Sequence, residues 1–140
     1  MSDTSDLDAA LVDRLYQDPE LKTLLPDGIY IDEAPPNAQR FAIVALVDAT
    51  DEGTFDQGRA FEDKLYTVVA KTLSTAGGNI KRAAKRIDEL LEDYPLVVAG
   101  YGYMELHREK PIRETDVDAT DPAIRWFHRG GEYRLRMALE

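Results

Sequence analysis

The spacing of apolar residues changes several times along the chain, and each change marks an element. Leu7, Ala10, Leu11 and Leu15 recur at the intervals of one helix face behind Asp6 as a capping residue, predicting a helix to about Gln17. Asp18-Pro19-Glu20 is a second cap with proline at the first helical position, and it opens a short helical turn through Leu24 and Leu25. Pro26-Asp27-Gly28 ends that turn. Ile29–Ile31 is a short strand candidate, and Ala34-Pro35-Pro36-Asn37 after it cannot donate a regular ladder. Residues 41–47 are almost continuously apolar and rich in β-formers, as in a central strand. Residues 48–59 then turn acidic and carry glycine, which predicts a long loop or a protruding hairpin tip.

In the second half, residues 61–72 alternate. Phe61, Leu65, Thr67 and Val69 fall on one face, and Glu62, Lys64, Tyr66 and Val68 on the other. The mixed second face predicts a strand with a partner on one side only. Asn79, after Gly77-Gly78, caps a helix in which Ile80, Ala83, Ala84, Ile87, Leu90 and Leu91 form one apolar stripe, and Tyr94-Pro95 ends it. Strand character resumes over 96–107, an acidic turn covers 116–122, and 126–139 closes the chain. There Tyr133, Leu135, Met137 and Leu139 alternate with Arg134, Arg136 and Ala138, and Gly130-Gly131 is a candidate bulge or bend. The order helix, strands, helix, strands predicts an α+β fold in one domain over residues 1–140. Its antiparallel β-sheet would be covered on one face by amphipathic helices, with a long loop or hairpin extension.

Composition narrows the function classes. A chain of 140 residues, 44% apolar and 31% charged, has the makings of one globular core. No apolar run approaches the roughly 20 residues that cross a bilayer, and residues 1–8 carry acids without Lys or Arg, so neither a membrane span nor a signal peptide is expected. The expected compartment is the cytoplasm where the chain is made. The absence of cysteine removes disulfides, thiolate metal sites and cysteine nucleophiles together. A net charge of −10, from 27 acids against 17 bases, argues against gripping nucleic acid through its phosphates. Sixteen Asp, eleven Glu and only six Lys suit a high-salt cytoplasm and a halophilic host, although an ordinary acidic surface accounts for them more simply.

Catalytic signatures are missing. Serine occurs only at Ser2, Ser5 and Ser74, outside any nucleophile elbow, and His107 and His128 lack metal-ligand spacing. Asp116, Asp118 and Asp121 imitate part of a calcium loop. The sixth position, however, holds Asp121 in place of glycine, and the twelfth holds Phe127 in place of glutamate. No catalytic, cofactor or metal site is therefore expected. Lys81, Arg82, Lys85 and Arg86 crowd the first turns of the 79–93 helix while Asp88, Glu89, Glu92 and Asp93 crowd its end, against the preference of the macrodipole. Two readings are open: a solvated face offset by local pairs such as Lys85 with Glu89, or a dipolar surface that meets an acidic neighbour. Phe55 in the acidic segment is either an interface anchor or folded back on the sheet.

Four blocks carry a resemblance. They are the first helix leading into Leu24-Leu25-Pro26-Asp27-Gly28-Ile29-Tyr30 and Glu33-Ala34-Pro35-Pro36, the strand at 41–47, the amphipathic helix after 61–72, and the ending from Asp121-Pro122 through Trp126-Phe127-His128 to Tyr133-Arg134-Leu135-Arg136. In this order the chain resembles the tail-terminator or tail-completion proteins of long-tailed viruses. It departs from them at Arg40, where the family often has proline, and in its enlarged 48–59 and 100–115 regions. The resemblance implies a structural virion protein without catalytic residues, forming a homo-oligomeric ring, typically a hexamer. Such a ring terminates the tail tube at the head-proximal end of the tail. Its implied partners are the tail-tube protein and a neck or head-completion protein, with viral DNA passing through the lumen unbound. Interface contacts are expected at Asp51, Glu52, Phe55, Arg59, Lys81, Arg82, Lys85 and Arg86. The competing functions are another head-to-tail neck or tail component and an acidic mimic of DNA that inhibits a nucleic-acid enzyme. The latter is opposed by the bases that interrupt any acidic stripe.

Overall fold

Two of the three capping residues read from the sequence, Asp18 and Asn79, act as caps. The Asp18 carboxylate accepts the Leu21 N–H at 2.8 Å at the start of one helix, and Asn79 Oδ1 accepts the Arg82 N–H at 3.0 Å at the start of another. The computed structural model describes residues 4–54 and 58–140, with side chains at 6–49 and 61–140. Its elements are α1 (Thr4–Tyr16), α2 (Pro19–Leu24), β1 (Ile29–Ile31), β2 (Arg40–Thr54), β3 (Gly58–Leu73), α3 (Ile80–Leu91), β4 (Tyr101–Val117) and β5 (Arg125–Leu139). Asp6 lies within the first turn of α1 rather than before it. Gly28, at φ 108°, turns the chain out of α2 in a backbone region that suits only glycine. The Asp27 carboxylate then accepts the N–H groups of Gln39 and Arg40, both at 2.9 Å, and so ties this turn to the start of β2.

The strands form one sheet in the order β1-β2-β3-β5-β4, in which β1 runs parallel to β2 and all other neighbours are antiparallel. Residues 48–59 belong to a hairpin: β2 continues to Thr54 and β3 starts at Gly58, paired to each other. The three helices lie on one face. Leu7, Leu11 and Leu15 of α1, Leu21 of α2 and Ala83, Ile87, Leu90 and Leu91 of α3 close over Val44, Tyr66, Val68, Leu106, Tyr133, Leu135 and Met137. Ile87 is fully buried, so the stripe read from the α3 sequence is the packing face. Each buried leucine or isoleucine side chain contributes about 1.5–3 kcal/mol.

Three expectations are corrected. β3 pairs on both edges, with β2 and β5, and its helix-covered face is the mixed one with Glu62, Lys64, Tyr66 and Val68. The polar groups there have partners: Tyr101 Oη donates to Glu62 at 3.0 Å and Tyr66 Oη donates to Asp8 of α1 at 2.6 Å. Next, residues 96–100 are irregular, and the strand begins at Tyr101 and runs ten residues past His107. Finally, Gly130-Gly131 lies in unbroken register on β5, and the bulges fall on the neighbouring β4, between Tyr103 and Glu105 and between Arg108 and Lys110. Gly130 is needed for close approach: a Cβ there would stand 2.0 Å from the Val68 carbonyl oxygen.

Candidate assembly surface

The unusual charge order of α3 has a cause in α2. Arg86 grips Asp18 with two nitrogens, Nε to Oδ2 at 3.0 Å and Nη2 to Oδ1 at 2.5 Å, while Arg82 Nε donates to Glu20 at 2.6 Å. The acids at the start of α2 thus face the bases at the start of α3. The Arg86 hydrogen bond, helped by the Leu21 N–H, holds the Asp18 carboxyl below the usual aspartate range against the opposing effect of burial. Glu89 pairs with Arg82 and Arg86, at 3.4 and 3.5 Å, and not with Lys85. Arg82 and Arg86 are therefore engaged within the chain. Lys81 and Lys85 are exposed and, among the described residues, have no ion-pair partner.

At the other end of α3 the acids cap a strand edge. Asp93 N–H donates to the Leu106 carbonyl at 2.9 Å, Glu92 accepts the Arg108 N–H at 2.7 Å, and Asp88 accepts the Tyr133 hydroxyl at 2.9 Å. With Pro111 and two bulges, the contacts to Leu106 and Arg108 blunt the outer edge of β4 against further strand pairing. The opposite margin of the sheet differs. β1 ends at Ile31 opposite Val44, so β2 continues beyond it without an outer neighbour among the described residues, and Ile31, Leu46 and Val47 are exposed there. Asp51 and Glu52 lie on β2 and Arg59 on β3 in the hairpin arm, which passes the end of the sheet beyond the Phe61–Ala138 pair. Phe55 lies outside the described residues. The predicted surface is therefore in two parts, an arm at one margin and the start of α3 over the sheet.

The face without helices carries ion pairs. Arg134 bridges Asp63, at 2.5 Å, and Glu109, while Arg136 bridges Asp63 at 3.1 Å and Glu105 at 2.8 Å. Burial opposes ionisation of Asp63, but the two guanidinium groups outweigh it and lower its pKa. His107 meets Glu105 at 2.5 Å and His128 meets Asp116 at 2.8 Å, each on its own. Asp118 accepts the N–H groups of Thr120 and Asp121, both at 3.0 Å, and Trp126 Nε1–H at 3.2 Å, so the calcium-like trio contributes to a turn. Among the described residues no group of three or more His, Asp or Glu is placed to hold a metal ion.

One feature had no place in the sequence reading. Arg113 and Arg129 stand directly opposite each other on β4 and β5, and neither has an ion-pair partner among the described residues. Extending the Tyr133–Leu135 alternation two steps backwards reaches Arg129 on the helix side, but its partner Arg113 depends on the bulges of β4.

Known proteins agree with this fold. Solved structures share it, among them two that cover nearly all of the chain. One is a chain of the "Virion of native gene transfer agent (GTA) particle", 21% identical, with a TM-score of 0.63 and 94% of each chain covered. The other is 14% identical, with a TM-score of 0.58, covering 100% of this chain and 97% of that one. No curated protein matches the sequence significantly. The family described as "Tail completion protein gp17" matches residues 9–136, a stretch that runs from α1 into β5. The chain belongs to this tail completion family and is a structural component of a phage virion tail.

Proposed function

We propose that copies of this protein form a closed ring, a hexamer, that ends the tail tube at its head-proximal end and joins it to the neck or head. The observation that carries this reading is the asymmetry of the sheet. One margin presents an open β2 edge and an acidic arm, the other is blunted, and exposed Lys81 and Lys85 stand at the start of α3. Such unlike surfaces support head-to-tail contacts, which close into a ring when the rotation between copies allows it. The presence of this fold in a gene transfer agent particle is consistent with the role.

In the proposed ring, Asp51, Glu52, Phe55 and Arg59 of one arm approach the α3 surface of the next copy. Lys81 and Lys85 point to the neighbour, and Arg82 and Arg86 hold α3 in place through Glu20 and Asp18. The other faces meet the tail-tube protein and a neck or head-completion protein. Viral DNA passes through the lumen, and a chain of net charge −10 repels phosphate rather than binding it. The protein's work is positional and not enzymatic. Electron microscopy of particles assembled without this protein should reveal tubes of abnormal length, unjoined to heads. Normal tails attached to heads would overturn the reading.

A further inference from the structure

We infer that Arg113 and Arg129 form the receptor for the acidic arm of a neighbouring copy. This inference rests on the ring reading above and names the partner of the arm.

Charge is unbalanced at this pair. Like charges directly opposite on adjacent strands are unfavourable. Elsewhere on the same two strands the structure avoids the problem, because Arg108, Arg134 and Arg136 each face a carboxylate. Arg113 and Arg129 lack one in the described residues and face each other, whereas Arg125, also without one, stands opposite the uncharged Val117 and donates to the Pro122 carbonyl. They line a cleft of about 270 Å³ with Ile80 at the start of α3, Glu114, Thr115 and Phe127, which is 37% exposed, so two arginines share it with one carboxylate that pairs with neither. Two guanidinium forks beside an accessible aromatic ring suit a partner that brings carboxylates on an extended backbone.

The arm carries the opposite charge. Asp48, Asp51, Glu52 and Asp56 give residues 48–57 four acids and no base. A two-stranded ribbon is marginal without further packing, so the part of the arm past the sheet gains from a partner. It cannot reach Arg113 and Arg129 of its own chain. Along β3, the arm leaves the sheet at Phe61 whereas Arg129 pairs with Ala70, nine residues on, or roughly 30 Å at the rise of a strand. Arm and receptor also occupy different strand pairs, β2–β3 and β5–β4, at opposite corners of the sheet. Contact between them is necessarily between copies and head-to-tail, the geometry that a ring requires.

The test uses the full-length protein, with ring formation followed by native mass spectrometry and folding by circular dichroism. Arg113→Glu with Arg129→Glu should raise the concentration needed for assembly by about a hundredfold while the fold persists, since like charges would then face each other across the contact. Asp51→Arg with Glu52→Arg should do the same, and all four changes in one chain should restore assembly. Wild-type rings with the Glu variant assembling equally well would overturn this inference and leave the ring reading intact. Wild-type protein that never forms a ring would overturn both. Loss of binding to a short DNA duplex in the Glu variant, with rings unaffected, would also overturn it and assign the arginines to phosphate.

Discussion

The two faces of the sheet are stabilised differently although they share the same strands. On the helix side, aliphatic side chains from three helices close over the strands, and the tyrosine hydroxyls trapped there each meet a carboxylate: Tyr66 with Asp8, Tyr133 with Asp88, Tyr101 with Glu62. On the open side, Asp63, Arg134, Arg136, Glu105 and Glu109 share partners in a lattice, so Asp63, Arg134 and Arg136 each keep a partner when one is lost. The covered face should be intolerant of a new charge and indifferent to salt. The open face should be tolerant of single changes and sensitive to pH, because pairs near solvent contribute little individually.

The largest effect is expected from Ile87→Asp. The side chain is fully buried, so the new carboxylate has no partner and costs roughly 3–5 kcal/mol, less if it takes up a proton. Chemical denaturation should record that loss, and an unchanged midpoint would mean that α3 does not pack as described.

Acid should act next, through carboxylates on both sides of the molecule. Asp18, held by Arg86, Asp63, held by Arg134 and Arg136 against burial, and Glu109, held by Arg134, all have folded pKa values below their ordinary ones. The stability that they add is complete above the unfolded values, near about pH 4, and is lost as pH falls through the lower folded values. Thermal melts should be flat from about pH 6 to 8 and fall below about pH 4, with a shallower acid decline in Asp63→Asn. An acid decline as steep in that variant as in the wild type would remove Asp63 from the explanation.

The smallest effect belongs to Arg136→Gln. Its side chain is 38% exposed and Asp63 retains Arg134, so the expected loss is about 1 kcal/mol or less. A loss as large as that of Ile87→Asp would erase the distinction between the two faces.

Local features of this fold were legible in the sequence because their causes are local. The Asp18-Pro19 and Asn79 caps, the α3 stripe and the β2–β3 hairpin each depend on residues within one or two turns. Features set by distant neighbours were not. The bases of α3 are opposed by acids 62 and 68 residues away, which periodicity within a helix cannot reveal. Which face of β3 is covered depends on where Asp8 and Tyr101 arrive to meet Tyr66 and Glu62, so the mixed face with Glu and Lys predicted a partner on one side only where the strand has two. The Arg113–Arg129 pairing was hidden for the same reason, since two bulges in β4 shift its register against β5.

The central claim is that this tail component works as a closed ring at the end of the tube. Averaged electron-microscopy images of the head-proximal tube end, with the protein marked by a small tag, test it most directly. The account predicts a single closed ring of six identical copies at that end, with each arm reaching the next copy. Label spread along the tube, or a tube end without the protein in particles of normal length, would contradict it.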